Sequence, residues 1–225
     1  MDVLSIRDDE NLNAYSERLR SYVREKMISL DQYFDLTCKE LTDYYLSRVR
    51  PQEQSGHHGS DAWYRSVRMM ILEALERDGR FIDVGSANGF LIESLAGWAA
   101  GLGLNVEFHG VELSVGLHCL SLQRLPGWED RLFNANAYYW KPGAKYDYVY
   151  TMILPDIPED YQEPFLRHLY HEYLSDGGRL LLGPWNGHGL EARIEEMGFR
   201  ISGYCEKSFP SVEYGFKRVV WIDRT

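Results

Sequence analysis

The first part of the chain carries apolar side chains at the three- and four-residue spacing of an amphipathic helix. The residues that set this period are Leu12, Tyr15, Leu19, Tyr22, Val23, Met27, Leu30, Tyr33, Phe34, Leu41, Tyr44, Tyr45 and Val49. Ser29 to Gln32 has the form of a capping box, which indicates that a second helix starts there. Residues 11–50 are therefore predicted to form two helices, or one broken helix, rich in tyrosine and ending before Pro51.

From residue 60 onward, short apolar runs typical of buried strands alternate with segments of helical period. The predicted strands are 81–84, 106–112, 132–137, 146–153, 179–183, 199–205 and 216–222, with helices over 61–79, 90–101, 117–125, 161–173 and 190–198. The last two strands follow each other without a helix, which predicts an antiparallel hairpin. This order predicts an α/β fold, a doubly wound, mostly parallel seven-stranded sheet with an antiparallel C-terminal hairpin and an N-terminal helical cap.

The first predicted strand ends in a loop of small residues, Asp83-Val84-Gly85-Ser86-Ala87-Asn88-Gly89. Gly85 and Gly89 permit unusual backbone angles and the close approach of a ligand, and Asn88 can cap the helix that follows. Ala87 and Phe90 stand where the dinucleotide fingerprint requires glycine, so a pyrophosphate cofactor fits poorly. A cofactor with an adenosine but no phosphate fits better, and an ordinary tight turn between strand and helix is the alternative.

An acid stands at the end of the second predicted strand, in Gly110-Val111-Glu112-Leu113-Ser114. Glu112 follows Gly89 by 23 residues, close to the offset of about 20 residues at which an acid binds ribose hydroxyls. The loop and this acid together resemble motifs I and II of the class I S-adenosylmethionine-dependent methyltransferases. They are especially similar to a bacterial group of small methyltransferase-like proteins of unknown substrate. The resemblance covers about residues 60–225, and residues 1–59 are then the cap and its linker.

The resemblance implies S-adenosylmethionine as the cofactor and S-adenosylhomocysteine as its product. It implies backbone contacts from Gly85, Ser86, Ala87, Asn88 and Gly89, with Leu113 close by. Asp83 would orient the loop or the methionine amine, and Glu112 would hold the ribose. Asn136 and Ala137 would hold the adenine, with Asn136 standing where the family has an aspartate.

The same resemblance implies a substrate side that begins at the end of the fourth strand, where Thr151 and Met152 would face the transferable methyl. Tyr64, Arg65 and Arg68 precede the glycine loop and would touch the methionine carboxylate, whereas a solvated basic face is the alternative for each arginine. Trp185 follows the fifth strand at the same edge of the sheet. The loop Leu154-Pro155-Asp156-Ile157-Pro158 lacks the signature of amino-group methylation on bases, which disfavours nucleobase methylation.

Candidates for a general base are few. His57 and His58 lie in a polar, glycine-containing linker, residues 51–60, just before the cofactor domain, and an exposed, inert pair is the alternative. Asp156 could orient or deprotonate a nucleophile, or it could be a turn residue between two prolines. His168 and His171 are three residues apart but have no apparent third ligand, so no metal site is predicted.

Charge and composition narrow the partners. With 24 Lys and Arg against 34 Asp and Glu, the net charge is −10, which disfavours a nucleic-acid substrate. The three cysteines are isolated, which indicates neither disulfides nor a zinc site and fits a cytoplasmic protein, and the polar start predicts no signal peptide. No apolar run approaches the ~18 residues that span a membrane.

Function is thus predicted as methyl transfer to an unidentified small-molecule oxygen or nitrogen acceptor. The alternatives are another adenosine-cofactor transfer, such as aminopropyl transfer, and a non-catalytic cofactor-binding or scaffold protein. The tyrosine-rich helices are predicted either to form a cap over the active site or to pack on the sheet or on a second subunit, as in a homodimer, and these possibilities stay open.

Overall fold

The computed structural model describes residues 4, 6, 10–210 and 215–225. The helices are α1 (Leu12–Arg24), α2 (Leu30–Leu46), α3 (Asp61–Arg68), α4 (Met70–Glu73), α5 (Phe90–Gly101), α6 (Val115–Arg124), α7 (Glu159–His168) and α8 (Gly189–Glu196). Short 3₁₀ turns cover Glu53–Ser55 and Leu154–Asp156, and a π-helical turn covers Leu169–Tyr173. The strands are β1 (Gly79–Val84), β2 (Val106–Glu112), β3 (Leu132–Asn134), β4 (Tyr146–Thr151), β5 (Leu174–Asn186), β6 (Gly203–Ser208) and β7 (Phe216–Asp223).

All seven strands form one sheet in the order β3-β2-β1-β4-β5-β7-β6. Neighbouring strands from β3 to β5 pair in parallel, whereas β7 is antiparallel to both β5 and β6, so the predicted mixed sheet and C-terminal hairpin are confirmed. The carboxyl ends of β1 and β4 meet where Val84 pairs with Thr151. Strand order reverses between β1 and β4, and such a switch point is where open α/β sheets bind ligands.

The two faces of the sheet are buried under different helices, as the alternation of β4 shows. Val149 enters a core shared with α1, α2 and α7, whereas Tyr148 and Tyr150 enter a second core beneath α3, α4 and α5. Parallel strands covered on both faces account for the nearly continuous apolar runs in the sequence.

Helices α1 and α2 confirm the prediction of two N-terminal helices. Ser29 and Gln32 form both hydrogen bonds of the predicted capping box, at 3.1 and 2.9 Å. Tyr15, Leu19 and Tyr33 are buried in the same apolar core as the sheet. The apolar faces of both helices are thus covered within the chain itself.

Several predicted boundaries are wrong, because pairing partners rather than local pattern decide them. Gly79 begins β1 instead of ending a helix, and the helix predicted over 61–79 is divided into α3 and α4. β5 extends through Trp185 to Asn186, which were predicted to lie in a loop, because these two residues pair with Arg218 and Lys217 of β7. Within the described residues, no helix is both long and apolar enough to cross a membrane.

Candidate active site

The loop between β1 and α5 needs its glycines for backbone geometry and for packing. Gly85 and Gly89 have φ angles of +86° and +75°, which favour glycine. A Cβ atom on Gly85 would lie 2.8 Å from Ile153 Cγ2, and one on Gly89 would lie 3.0 Å from Ser121 Cβ. Ala87 also has a positive φ, +47°. The loop therefore follows a path that larger side chains would block.

Asn88 was predicted to cap α5, but it is not the N-cap residue. Gly89 occupies the N-cap position, but Asn88 Oδ1 accepts a hydrogen bond of 3.1 Å from the backbone N of Phe90. Its Nδ2 donates to the carbonyl oxygen of Pro51 at 2.9 Å and to Gln54 Oε1 at 3.3 Å. Asn88 thus joins the glycine loop to the segment before α3.

Glu112 lies against the glycine loop, as its spacing in the sequence predicts. Its Oε2 accepts a hydrogen bond of 2.8 Å from Ala87 N, and its Oε1 accepts one of 2.7 Å from Ser114 N. Burial raises the pKa of the Glu112 carboxyl, and these backbone hydrogen bonds oppose the rise. The side chain of Leu113 beside it is half-buried. A carboxylate therefore stands at the boundary between the loop and β2.

Asp83 is the second buried acid of this edge, with an exposed fraction of 3%. Within the described residues its carboxylate accepts no hydrogen bond, and burial raises its pKa to about 7. The positive charge of Arg68 lowers this pKa, and the charge of Glu112 raises it. Asp83 is thus divided between its charged and neutral forms near neutral pH.

Three residues predicted to contact the cofactor also make contacts within the protein. Thr151 Oγ1 donates to Val84 O at 3.1 Å, which joins β4 to β1, and the residue is fully buried. Asn136 Oδ1 accepts from Tyr138 N at 3.0 Å and starts the turn after β3. Ser86 is buried and faces Gly110. Asn136 retains a lone pair on its amide oxygen, but the Thr151 hydroxyl is directed into the sheet.

Ala137 is also buried, and its carbonyl oxygen accepts a hydrogen bond of 3.1 Å from the Tyr173 hydroxyl. The turn that carries it is joined to the end of β2, because Ala135 N donates to Glu112 O at 3.0 Å. The residues predicted to hold ribose and adenine therefore lie on adjoining segments.

Arg68 is buried at the end of α3, with an exposed fraction of 7%. Its Nη1 lies 3.4 Å from the Tyr150 hydroxyl and contacts Met152 Sδ. The preceding turn places Tyr64, also buried, with its ring stacked on Phe90 at 5.0 Å between centroids. A solvated basic face is therefore wrong for Arg68. Arg65, by contrast, is exposed and lies over the ring of Trp98.

His57 lies beside this cluster and is not the exposed, inert residue of the alternative hypothesis. Its exposed fraction is 9%, its ring centroid is 5.0 Å from that of Tyr64, and its Nε2 has no partner among the described residues. Burial, followed by the charges of Arg68 and Lys217, lowers the pKa of His57 to about 4. The ring is therefore neutral at physiological pH.

The other two candidates for a base are more exposed than His57. His58 is exposed, with Nε2 3.4 Å from the Tyr44 hydroxyl. Asp156 is exposed as a residue, and its backbone carbonyl accepts a hydrogen bond of 2.5 Å from the Tyr33 hydroxyl. Surrounding protein still desolvates its carboxyl and raises the pKa, which the charge of Arg20 opposes. Within the described residues, the three candidates thus form no side-chain hydrogen bond with one another.

Two residues of this edge were missed by the sequence analysis. Tyr45 on α2 has its pKa raised to about 12 by burial and then by the charges of Asp156 and Glu112, while Arg68 lowers it. Its hydroxyl lies against Gly56, where an added Cβ atom would be 2.6 Å from Tyr45 Oη. Lys217 on β7 donates to Asn186 Oδ1 at 2.8 Å. The only signal for Tyr45 was the tyrosine-rich helix, and Lys217 gave none.

Trp185 is half-buried and packs against the core that contains α1 and α2, and its indole Nε1 has no partner among the described residues. His168 Nε2 pairs with the carbonyl oxygen of Trp140 at 2.8 Å. Across the described part of the chain, no group of three His, Cys, Asp or Glu residues is arranged to hold a metal ion.

Two surface depressions lie away from this edge. One, of about 570 Å³, is at the amino ends of β1 and β2, lined by Asp78, Arg80, Glu107 and Arg131 among others. The second, of about 270 Å³, lies beside α1 and is lined in part by Arg20 and Gln162. Neither is lined by residues of the glycine loop or by Glu112.

No family model and no curated protein matches this chain, but solved structures do. A methyltransferase from Geobacter sulfurreducens, in complex with S-adenosyl-L-homocysteine, is 13% identical, and the alignment covers 83% of this chain and 98% of that one with a TM-score of 0.55. The N-methyltransferase NodS from Bradyrhizobium japonicum WM9 is 12% identical over 73% and 98% of the two chains, with a TM-score of 0.58.

A third structure is CalS10 with bound S-adenosylmethionine, an amino pentose methyltransferase from Micromonospora echinaspora. It is 15% identical to this chain, the alignment covers 79% of this chain and 98% of that one, and the TM-score is 0.54. Likenesses at this level of identity show the fold and leave the function to be argued from the site. The chain therefore has the Rossmann-like fold of class I methyltransferases, as its sequence motifs implied.

Proposed function

We propose that this protein transfers a methyl group from S-adenosylmethionine to an oxygen or nitrogen atom of a small acceptor. The observation that carries the proposal is the hydrogen bond from Ala87 N to the Glu112 carboxylate, which places an acid beside the glycine loop. It occurs at the switch point of a sheet shared with known methyltransferases, two of which were solved with the cofactor or its product.

The residues of this edge fit the groups of the cofactor. A carboxylate has about four acceptor positions, and Glu112 uses two of them, so two remain for ribose hydroxyls. The Asp83 carboxylate is buried and accepts no hydrogen bond from the described residues, so it fits the ammonium group of the methionine part. Asn136 and Ala137, on the turn joined to β2, fit the adenine, and Leu113 lies beside them.

When bound, the cofactor supplies an already activated methyl group. The protein then has to align the acceptor atom with the methyl and exclude water. Tyr45, Tyr64 and Met152 surround the position that the acceptor would take. The Nε2 atom of neutral His57 has no partner among the described residues and would accept a hydrogen bond from the acceptor atom. It would orient that atom rather than take its proton, since the lowered pKa makes His57 a weak proton acceptor.

Residues 1–59 form the cap in this proposal. Helix α2 supplies Tyr45, and Asn88 holds the segment after Pro51 against the glycine loop. The capping role does not require a second subunit. The homodimer and the cytoplasmic location remain proposals. Exposed Leu46 and Val49 at the end of α2 would be the first surface to test for self-association by light scattering.

Calorimetry with S-adenosylhomocysteine tests the cofactor site. The parent is expected to bind, and Glu112→Ala is expected to weaken binding by about 10- to 100-fold, because hydrogen bonds to a charged group are lost. Glu196→Ala, which removes an exposed acid on α8, is the matched control and should leave affinity unchanged.

Because Glu112 also holds Ala87, a second comparison separates ribose binding from loop order. The parent should prefer adenosine to 2′,3′-dideoxyadenosine, and Glu112→Ala should lose that preference. Absence of S-adenosylhomocysteine binding by the parent would end the proposal. Transfer of labelled methyl groups to a metabolite mixture would distinguish an enzyme from a cofactor-binding scaffold.

A further inference from the structure

Arg68 is a buried cation that forms no ion pair within the described residues. Two of its contacts, the Tyr150 hydroxyl and Met152 Sδ, are uncharged, and its Nε is buried with no hydrogen-bond partner among the described residues. A buried charge is costly unless it is paired and hydrogen-bonded. The charge of Arg68 lowers the pKa of the buried Asp83 carboxyl, but burial still holds that pKa at about 7, so Asp83 is only partly charged at neutral pH. The cluster therefore lacks negative charge.

Two further basic groups lie near Arg68. Val67 of α3 and Val219 of β7 share one buried cluster, and Lys217 lies two residues before Val219 on the same face of β7, whereas the ring of His57 is 5.0 Å from that of Tyr64 on α3. Lys217 has its pKa lowered by burial and by the charge of Arg68. His57 has its pKa lowered by burial and by the charges of Arg68 and Lys217. The hydrogen-bond partner of Lys217 is an amide oxygen, Asn186 Oδ1. Neither Arg68 nor Lys217 forms an ion pair within the described residues. In a chain of net charge −10, this is a local excess of positive charge.

The cluster lies on the substrate half of the sheet. Arg68 contacts Tyr150 of β4 and Met152 directly after that strand, and Lys217 of β7 pairs with Asn186 of β5. In the strand order, β7 is three strands from β1 and four from β2, which carries Glu112. At ~4.8 Å between strands, Lys217 is about 19 Å across the sheet from the strand of the proposed ribose contact. Lys217 is therefore farther from the strand of the proposed ribose contact than β4, where Arg68 contacts Tyr150.

We propose that the acceptor of this methyltransferase carries an anionic group, a carboxylate or a phosphate, that binds between Arg68 and Lys217. The inference rests on the proposed function and names the substrate class of the same site. The anion supplies the negative charge that would pair with Arg68. The guanidinium of Arg68 offers the planar fork of donors that suits carboxylate and phosphate. Tyr45 and Tyr64 would flank the remainder of the acceptor, with His57 next to the group.

The test uses the full chain saturated with S-adenosylhomocysteine and titrated with benzoate or inorganic phosphate by calorimetry. The parent is expected to bind at least one of the two anions. Arg68→Gln and Lys217→Gln should each weaken that binding by at least about tenfold, as expected for loss of a charge-assisted contact. Arg65→Gln removes an exposed arginine from the same helix and should leave anion binding unchanged.

Arg68→Lys should recover part of the affinity, because it restores the charge without the planar fork. If Arg68→Gln fails to fold, as judged by its melting curve, Lys217→Gln decides alone, since Lys217 is only half-buried. Absence of anion binding by the parent, or equal binding by the parent and Lys217→Gln, would overturn the proposal.

A second arm identifies the source of the anion. If Arg68 binds the carboxylate of the cofactor instead, Arg68→Gln will weaken S-adenosylhomocysteine but not methylthioadenosine, which lacks that carboxylate, and the acceptor proposal is then wrong. If both nucleosides bind Arg68→Gln as they bind the parent, the anion site belongs to the acceptor. Failure of the parent to bind either nucleoside would instead contradict the proposed function.

Discussion

The amide group of Asn88 donates a hydrogen bond of 2.9 Å to the carbonyl oxygen of Pro51. This contact joins the glycine loop to the segment that the sequence presents as a mobile linker. His57, six residues further on, is buried against Tyr64 rather than free in solvent. The cap and the cofactor loop are therefore coupled through one side chain, so a change in the loop should be felt by the cap.

Stability should depend on pH through Asp83. Burial raises its pKa from 3.8 to about 7, so the folded protein retains a proton that the unfolded chain releases in this window. The contribution of Asp83 to the free energy of unfolding therefore falls as pH rises from about 4 to about 7, by about 4 kcal/mol. Urea unfolding across this range should show that fall in the unfolding free energy of the parent, and the fall should be absent in Asp83→Asn.

His57 provides a comparison of opposite sign. Its pKa is lowered from 6.5 to about 4, so the unfolded chain holds the extra proton and the His57 contribution rises with pH between those values. His57→Gln should remove this rise. Identical pH slopes in the parent and both variants would show that neither group is buried as described.

The backbone geometry of the loop predicts a contrast between two glycines. Gly85→Ala should destabilise the protein by about 1–3 kcal/mol, because the φ angle is unfavourable for alanine and the added Cβ meets Ile153. Gly97→Ala, within α5 and with nothing near its Cβ position, should stabilise by about 0.5–1 kcal/mol. Chemical denaturation measures both, and equal effects would contradict the strained loop.

Two leucines of the N-terminal helices should differ in how much their removal lowers the free energy of unfolding. Leu19 on α1 is fully buried in the core shared with the sheet, so Leu19→Ala should cost about 2–5 kcal/mol of unfolding free energy. Leu46→Ala removes a side chain that is 44% exposed, and its effect should stay within about 0.5 kcal/mol. Urea unfolding measures both effects. Small effects at both positions would show that the N-terminal helices are only loosely docked.

Much of the fold could be predicted from local signals. Strand and helix periods gave the seven strands of the sheet and their final antiparallel pair, because each pattern is set by residues close in sequence. The same is true of the Ser29–Gln32 capping box, which needs one helical turn. The strand boundaries at Gly79 and Asn186 were missed, because they depend on pairing with distant strands.

The sequence by itself determined the glycine loop and the acid beside it. Gly85 directly follows β1 and Glu112 is the last residue of β2, and parallel neighbouring strands end at the same edge of a sheet. Only the tertiary structure decided that Arg68 is buried while Arg65 is exposed, and that Tyr45, His57 and Lys217 approach Arg68. The physical reason is that burial and charge depend on segments far apart in the chain, which no local pattern records.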